Sequence, residues 1–143
     1  MAKPDPALLD AARYPYRLEI PTRFGDLDMN QHVNNVAMAG LFEDARVRFL
    51  HHVGLMGPES QVQPMAASFA IDYLRQAYYP QPLTFCVAVS QIGNTSHTLI
   101  NLALQDDRPV ALAHSVVVIT AGGRPCPLPQ GIDSVLRSLA LRG

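Results

Sequence analysis

The sequence predicts an α+β fold in which one antiparallel sheet carries a single long helix across one of its faces. Three observations point there. Residues 16–24 (YRLEIPTRF) alternate apolar and polar side chains, the period of a half-buried strand. From Val36 the apolar period changes to 3.6, and it holds as far as Val53. Four strand-like runs then follow, joined largely by tight turn signals and with no second long helical pattern.

Taken in order, residues 1–15 read as a leader, loosely ordered as far as Pro15. They hold three prolines and lack the apolar segment of a signal peptide. Pro21 falls inside the first strand pattern and has no N–H for a ladder, which places it at a strand edge or a bulge. In the helix, Met38, Leu41, Phe42, Ala45, Phe49 and Val53 form one stripe. Glu43 with Arg46 and Asp44 with Arg48 sit three and four apart on the other side, the spacing of a solvated face. Gly54 is a natural stop, with Gly57-Pro58 just beyond.

Residues 63–74 are the next candidate strand, and 83–92 alternate cleanly. Gly93-Asn94 turns the chain into a strand over 96–105, and Asp106-Asp107 turns it again into 110–120, the most β-branched run present. Gly122-Gly123 and the prolines after it end that run. A short helix over 132–141 closes the chain. With no repeat and no low-complexity segment, residues 16–143 are expected to form one domain, long enough for a core of its own. The sheet is expected to be wide and to curve around the helix.

Composition narrows the function. Charged residues make up 16% of the chain against a usual quarter, so part of the outer surface is expected to be covered, most simply by another copy of the chain. The net charge is −1 and no Lys/Arg run occurs, which argues against nucleic acid as a partner. No apolar stretch approaches the roughly 18 residues of a membrane span, and the protein is expected to be soluble and cytoplasmic. Cys86 and Cys126 are too few for a disulfide framework and read as free thiols in a reducing compartment.

There is no GxSxG elbow, P-loop or GxGxxG. His32, His51, His52, His97 and His114 show neither HExxH spacing nor a CxxC partner, so neither a metal site nor a bound cofactor is expected. His51-His52 lie where a helix C-terminus favours cations. His97 and His114 alternate within strands, one expected at a surface or rim and the other buried with its hydrogen bonds satisfied.

Residues 25–35 remain. Asp26, Asp28, Asn30, Gln31, His32, Asn34 and Asn35 crowd into eleven residues that run straight into the helix. Asn34 or Asn35 could cap it, and aspartate suits the positive helix end, but seven polar groups exceed what a cap needs. A helix start offers free N–H groups that can hold a developing oxyanion. A neighbouring carboxylate can activate water or attack a carbonyl itself. For a thioester, whose leaving group is good, those two elements make a complete minimal site.

These residues carry a family resemblance. Phe24-Gly25-Asp26-x-Asp28, then His32-Val33-Asn34-Asn35, then Phe42-Glu43-x-Ala45-Arg46, resemble the 4-hydroxybenzoyl-CoA thioesterase-like branch of the hotdog superfamily. The likeness runs from about Arg17 to Pro129 and includes Ile71-Asp72-Tyr73 and Ile92-Gly93-Asn94. The string DLDMNQHVNN is also similar to the active-site segment of plant acyl-carrier-protein thioesterases. The resemblance implies a hotdog fold, a long central helix wrapped by a curved antiparallel sheet. It also implies hydrolysis of an acyl-CoA or acyl-carrier-protein thioester, as in fatty acid metabolism. Asp28 matches the family's nucleophile or general base, and Asn35 matches the position whose backbone N–H polarises the thioester carbonyl. In the plant-type pattern Asn30 orients the acyl group or the carboxylate, and His32 assists proton transfer; the two branches assign His32 differently.

The sequence departs from the family in three places. The plant enzymes carry Glu-Cys after the tyrosine-containing strand motif, where Gln76 and Ala77 stand here, so any role of those two side chains is lost. An aromatic residue common four positions into the helix is Met38. The plant enzymes also hold two repeats in one chain, whereas a single repeat implies a homodimer, or a homotetramer built from it, with sites where subunits meet. Two other readings share these residues: a hotdog hydratase or dehydratase, and a non-catalytic acyl-thioester sensing module. Sensing modules of this fold are generally fused to a DNA-binding segment, for which a 15-residue leader is too short. Arg75, Arg108 and Arg124 are the arginines open to CoA's phosphates, with no spacing that singles one out.

Overall fold

The alternating and β-branched runs pair into a single antiparallel sheet, and the 3.6-periodic segment crosses one face of it as a helix. The computed structural model describes residues 3–143. Its strands are β1 (Tyr16–Ile20), β2 (Gln63–Tyr73), β3 (Leu83–Ile92), β4 (Ser96–Gln105), β5 (Arg108–Ala121) and the two-residue β6 (Arg124–Pro125). The helices are α1 (Asn35–His52) and α2 (Ile132–Ser138). The strand order is β1-β3-β4-β5-β2, with β6 paired to β5. Helix α1 touches β1 and β2, the two opposite edges, as well as β3, so the sheet curls around it. Bulges between Ala66 and Ser68 and between Val89 and Gln91 add to that curl. This is the α+β hotdog architecture expected from the sequence.

The predicted stripe of α1 is the face that meets the sheet: Met38, Leu41, Phe42, Ala45 and Phe49 are buried, with Leu50 beside them. Phe42 meets Phe85 edge to face at 5.1 Å, and Phe49 meets Tyr16 likewise at 5.3 Å. On the solvent side, Arg48 pairs with Asp44 at 2.8 Å. Arg46 sits 3.8 Å from Glu43 and is held over the ring of Phe69.

Strand boundaries move where backbone chemistry dictates. β1 stops at Ile20 because Pro21 has no N–H to continue the ladder. β5 begins at Arg108, since Asp106 and Asp107 both take left-handed φ (51° and 61°) and make a two-residue hairpin. Gly122-Gly123, read as the end of that strand, instead turns the chain into β6. α2 ends at Ser138, three residues short of expectation.

The leader is the larger correction. The described residues before β1 form two 3₁₀ turns, Pro6–Leu9 and Ala11–Arg13, each capped by the aspartate before it. Leu8, Leu9 and Ala11 pack on the outer face of the sheet against Cys86, Ile100, Leu102 and Leu112, together with Leu141 from the C-terminus. Tyr14 is buried there, and its hydroxyl donates to the Leu8 carbonyl at 2.6 Å. Arg13 Nε donates to the Arg142 carbonyl, and the Arg142 N–H donates to the Arg13 carbonyl. The outer face is as apolar as the inner one and needs a cover, which a count of prolines did not reveal.

Cys86 and Cys126 are free thiols, and burial pushes the Cys86 thiol upward against the pull of Arg17. His97 reverses its expectation. It is fully buried with no hydrogen-bond partner on either ring nitrogen, while His114 is only half-buried. Among the described residues no helix is long and apolar enough to cross a membrane.

Candidate active site

The loop between β1 and α1 is built by its two aspartates, and they do different things. Asp26 is buried. Its carboxylate accepts from the Arg23 N–H at 2.9 Å and from the Arg23 guanidinium at 2.8 Å. This closes the 3₁₀ turn Phe24–Asp26 and commits both partners to structure.

Asp28 closes the next turn with half of its carboxylate. Oδ1 accepts from the N–H of Asn30 at 2.8 Å and of His32 at 3.1 Å. The Asp28 main chain pairs with His32 and Gln31, the latter at a left-handed φ of 63°. Among the described residues no group donates to Oδ2, and Asp28 is exposed. Its carboxylate is therefore oriented at one oxygen and free at the other.

The loop's far side is anchored to the segment after β2. The Val33 N–H donates to the Ala77 carbonyl at 2.8 Å, and the His32 ring stands edge-on to Tyr78 at 5.2 Å. Gln105, buried at the end of β4, clamps that segment. Its Oε1 accepts from the Tyr78 N–H, and its Nε2 donates to the carbonyls of Tyr78 and Gln81.

At the helix start, four N–H groups lack partners within the ladder. The Asn34 N–H donates to the Asp26 carbonyl at 2.9 Å. Asn34 is the N-cap, and its Oδ1 takes the Ala37 N–H at 2.7 Å. Two donors, the N–H groups of Asn35 and Val36, remain free among the described residues. They carry the positive end of an 18-residue helix behind them.

A cleft of about 1150 Å³ opens at this point, lined by Asp28, Asn34, Asn35, Val36, Ala37 and Gln76 among others. Of the four residues singled out by sequence, Asp28 and Asn35 share this cleft, while Asn30 and His32 do not line it. Asn30 takes part through its main chain, and His32 faces Tyr78. Arg23 and Arg48, also on the wall, are paired with Asp26 and Asp44, which leaves Asp28 as the free carboxylate there.

Two smaller cavities adjoin. One of about 300 Å³ is lined by Val33, Asn35, Met38, Tyr73, Arg75 and Gln76. One of about 650 Å³ is lined by Arg75, Gln76, Tyr78, Gln105 and Arg108. Gln76 lies where all three meet. Gln76, which the sequence gives no role, thus borders the site, and the tyrosine motif just before it is the local signal of that place. Arg124 lines none of these three cavities. No group of three or more His, Cys, Asp or Glu among the described residues lies placed to hold a metal ion.

Against known proteins, residues 22–136 match the family model of the thioesterase-like superfamily. YsmA of Bacillus subtilis (strain 168) is 33% identical over 81 residues, 57% of this chain and 55% of its own, so the match spans about half the length of that relative. Among solved structures, the PA5185 protein of Pseudomonas aeruginosa PAO1 superposes with a TM-score of 0.83 at 26% identity over 92% of this chain and 95% of its own. A predicted thioesterase from Bacillus stearothermophilus gives 0.79 at 27% over 90% and 98%. A Thermus thermophilus thioesterase complexed with coenzyme A and zinc gives 0.77 at 29% over 89% and 95%. With the hotdog fold, a carboxylate and two free helix-start donors facing one cleft, and a family match across most of its length, the chain belongs to the thioesterase-like superfamily.

Proposed function

We propose that this protein is an acyl-CoA thioesterase in which Asp28 attacks, or activates water against, a thioester carbonyl held at the start of α1. One observation carries the reading: Asp28, whose Oδ2 accepts no hydrogen bond among the described residues, and Asn35 and Val36, whose N–H groups are unpartnered, line the same cleft. In the general-base route, Asp28 Oδ2 takes a proton from water as the water oxygen bonds to the carbonyl carbon. The carbonyl oxygen becomes an oxyanion held by the two N–H groups. The C–S bond then breaks, the acid is released, and the thiolate leaves with the proton from Asp28. In the nucleophilic route, Oδ2 bonds to the carbonyl carbon first and the C–S bond breaks, expelling the thiolate, which takes a proton from solvent; water then hydrolyses the anhydride, freeing the acid and restoring the Asp28 carboxylate. Asn30 and His32 serve either route by donating their N–H groups to Asp28 Oδ1, which leaves Oδ2 directed at the substrate.

The carrier is assigned to CoA because Arg75 and Arg108 line the cavity joined to the cleft through Gln76, and neither has a carboxylate partner among the described residues. Their guanidinium groups suit phosphate oxygens. The relative from Thermus thermophilus, crystallised with coenzyme A, supports the same choice. β2 is an edge strand with an unpaired side, and Met65 and Phe69 on it are exposed. We assign that edge to pairing with a second copy, giving a homodimer.

The deciding experiment is thiol release from a panel of acyl-CoA chain lengths and a benzoyl-type thioester, with wild type and Asp28→Asn. Turnover by wild type that drops by about 10²-fold or more in the variant supports the reading. Binding of acyl-CoA without any release would sink it in favour of a sensing role.

A further inference from the structure

One more group acts at the helix start, and it comes from the sheet. Tyr73, the last residue of β2, donates its hydroxyl hydrogen to the carbonyl oxygen of Asn35 at 2.9 Å. That carbonyl shares one planar peptide group with the N–H of Val36. Val36 N–H is one of the two donors that Asp26 and the Asn34 cap leave free. The Asn35 oxygen also lies in the first turn of α1, next after the Asn34 carbonyl that opens the ladder by accepting from Met38. The tyrosine hydroxyl is therefore an extra bond at one end of a peptide whose other end faces the cleft.

Two consequences follow. The 35–36 peptide is held in plane by a ring on the sheet, so Val36 N–H does not fray as a first-turn amide otherwise does. Hydrogen bonding at the carbonyl also draws electron density from the N–H, a cooperative strengthening of about 10–30% per bond. The anchor is firm, because the next two N–H groups, of Leu74 and Arg75, both donate to the Val110 carbonyl on β5. Tyr73 also lines the small cavity behind the helix start, beside Asn35, Met38 and Gln76.

We propose that Tyr73 is a positioning residue that acts through the Asn35–Val36 peptide group to orient and polarise the Val36 N–H toward the oxyanion of the reaction. This rests on the reading of the helix start as an oxyanion hole. Tyr73→Phe removes only the hydroxyl and leaves a half-exposed ring in place, so the fold is retained. The test compares wild type and Tyr73→Phe in steady-state thioester hydrolysis, and follows the Val36 amide proton by NMR in labelled protein. kcat is expected to fall about tenfold with KM within twofold, short of the ~10²–10³-fold lost when such a donor is deleted outright. The Val36 amide proton is expected to move upfield. A kcat within twofold of wild type, or an unmoved Val36 resonance alongside a lowered melting temperature, would mean that the bond merely ties sheet to helix and overturns the inference. The two failures are distinct: an inactive wild type removes the thioesterase reading and the role of Tyr73 with it, whereas a fully active Tyr73→Phe removes this inference alone.

Discussion

Asp26 and Asn34 are joined main chain to main chain, the Asn34 N–H donating to the Asp26 carbonyl at 2.9 Å. That bond shuts the loop onto the base of α1 and fixes Asp28 between its ends. The two aspartates should therefore fail differently. Asp28→Asn keeps an oxygen for the Asn30 and His32 amides, so its melting temperature should match wild type while kcat drops by about 10²-fold or more. Asp26→Ala removes a buried acceptor from Arg23 and should cost about 1–3 kcal/mol of stability, with activity falling as the loop loosens. Denaturant unfolding and thiol-release assays on both variants check this. A destabilised Asp28→Asn with a stable Asp26→Ala would reverse the assignment.

Arg75 and Arg108 give a prediction about the carrier rather than the acyl group. If they grip phosphates, Arg75→Gln with Arg108→Gln should raise KM for acyl-CoA about tenfold, the scale of a lost charge-assisted contact. KM for the matching acyl-pantetheine, which has neither the diphosphate nor the nucleotide, should stay unchanged. Added salt should weaken wild type on acyl-CoA and leave the double variant nearly indifferent. An equal rise of KM on both substrates would place the arginines in structure instead.

How much of this was legible in the sequence depends on the range of the forces involved. The helix stripe from Met38 to Phe49 and the strands β3 and β4 follow from local periodicity, and they appear where the pattern puts them. The loop from Gly25 to Asn35 stood out because so many polar groups cannot all be capping. Its internal division of labour was not visible, since what buries Asp26 and exposes Asp28 is the closure of two successive turns. Tyr73 and Gln105 act through hydrogen-bond partners 38 and 27 positions away, Asn35 and Tyr78. Gln76 contributes through a cleft wall that it shares with Asp28. No local pattern encodes such contacts. The order of the leader is hidden from sequence for the same reason: Leu8 and Leu9 look incidental until the apolar outer face they cover is known.

The free edge of β2 predicts the assembly. Its residues are exposed along nearly the whole strand, Met65 and Phe69 included, and one ladder of backbone groups is unpaired. A long edge of this kind is a template for another strand. Light scattering after gel filtration should show a dimer or a multiple of it for wild type. Met65→Glu with Ala70→Glu, which sets like charges against each other across a two-fold axis, should shift it toward monomer. A wild type that runs as a monomer at micromolar concentration would refute the assignment of this edge.

His97 sets a limit on acid tolerance. It lies on β4 opposite Val117 and Ile92, fully buried, with neither ring nitrogen bonded. Burial alone pushes its pKa down from 6.5 to about 4, so the folded protein holds it neutral. The sign follows from proton counts. Between those two values the unfolded chain binds the proton and the folded one does not, so stability is full above about pH 6.5 and declines as pH falls toward 4. At about 1.4 kcal/mol per unit the loss approaches about 3–4 kcal/mol at its limit. His97→Leu deletes the titrating ring and its unpaired nitrogens, and at pH 7 it should be as stable as wild type or more so. Between pH 7 and pH 4.5, wild type should lose about 2 kcal/mol more than His97→Leu in denaturant unfolding, since all other titrating groups are common to both. Parallel curves for the two proteins would show that water or a rearranged partner reaches the ring.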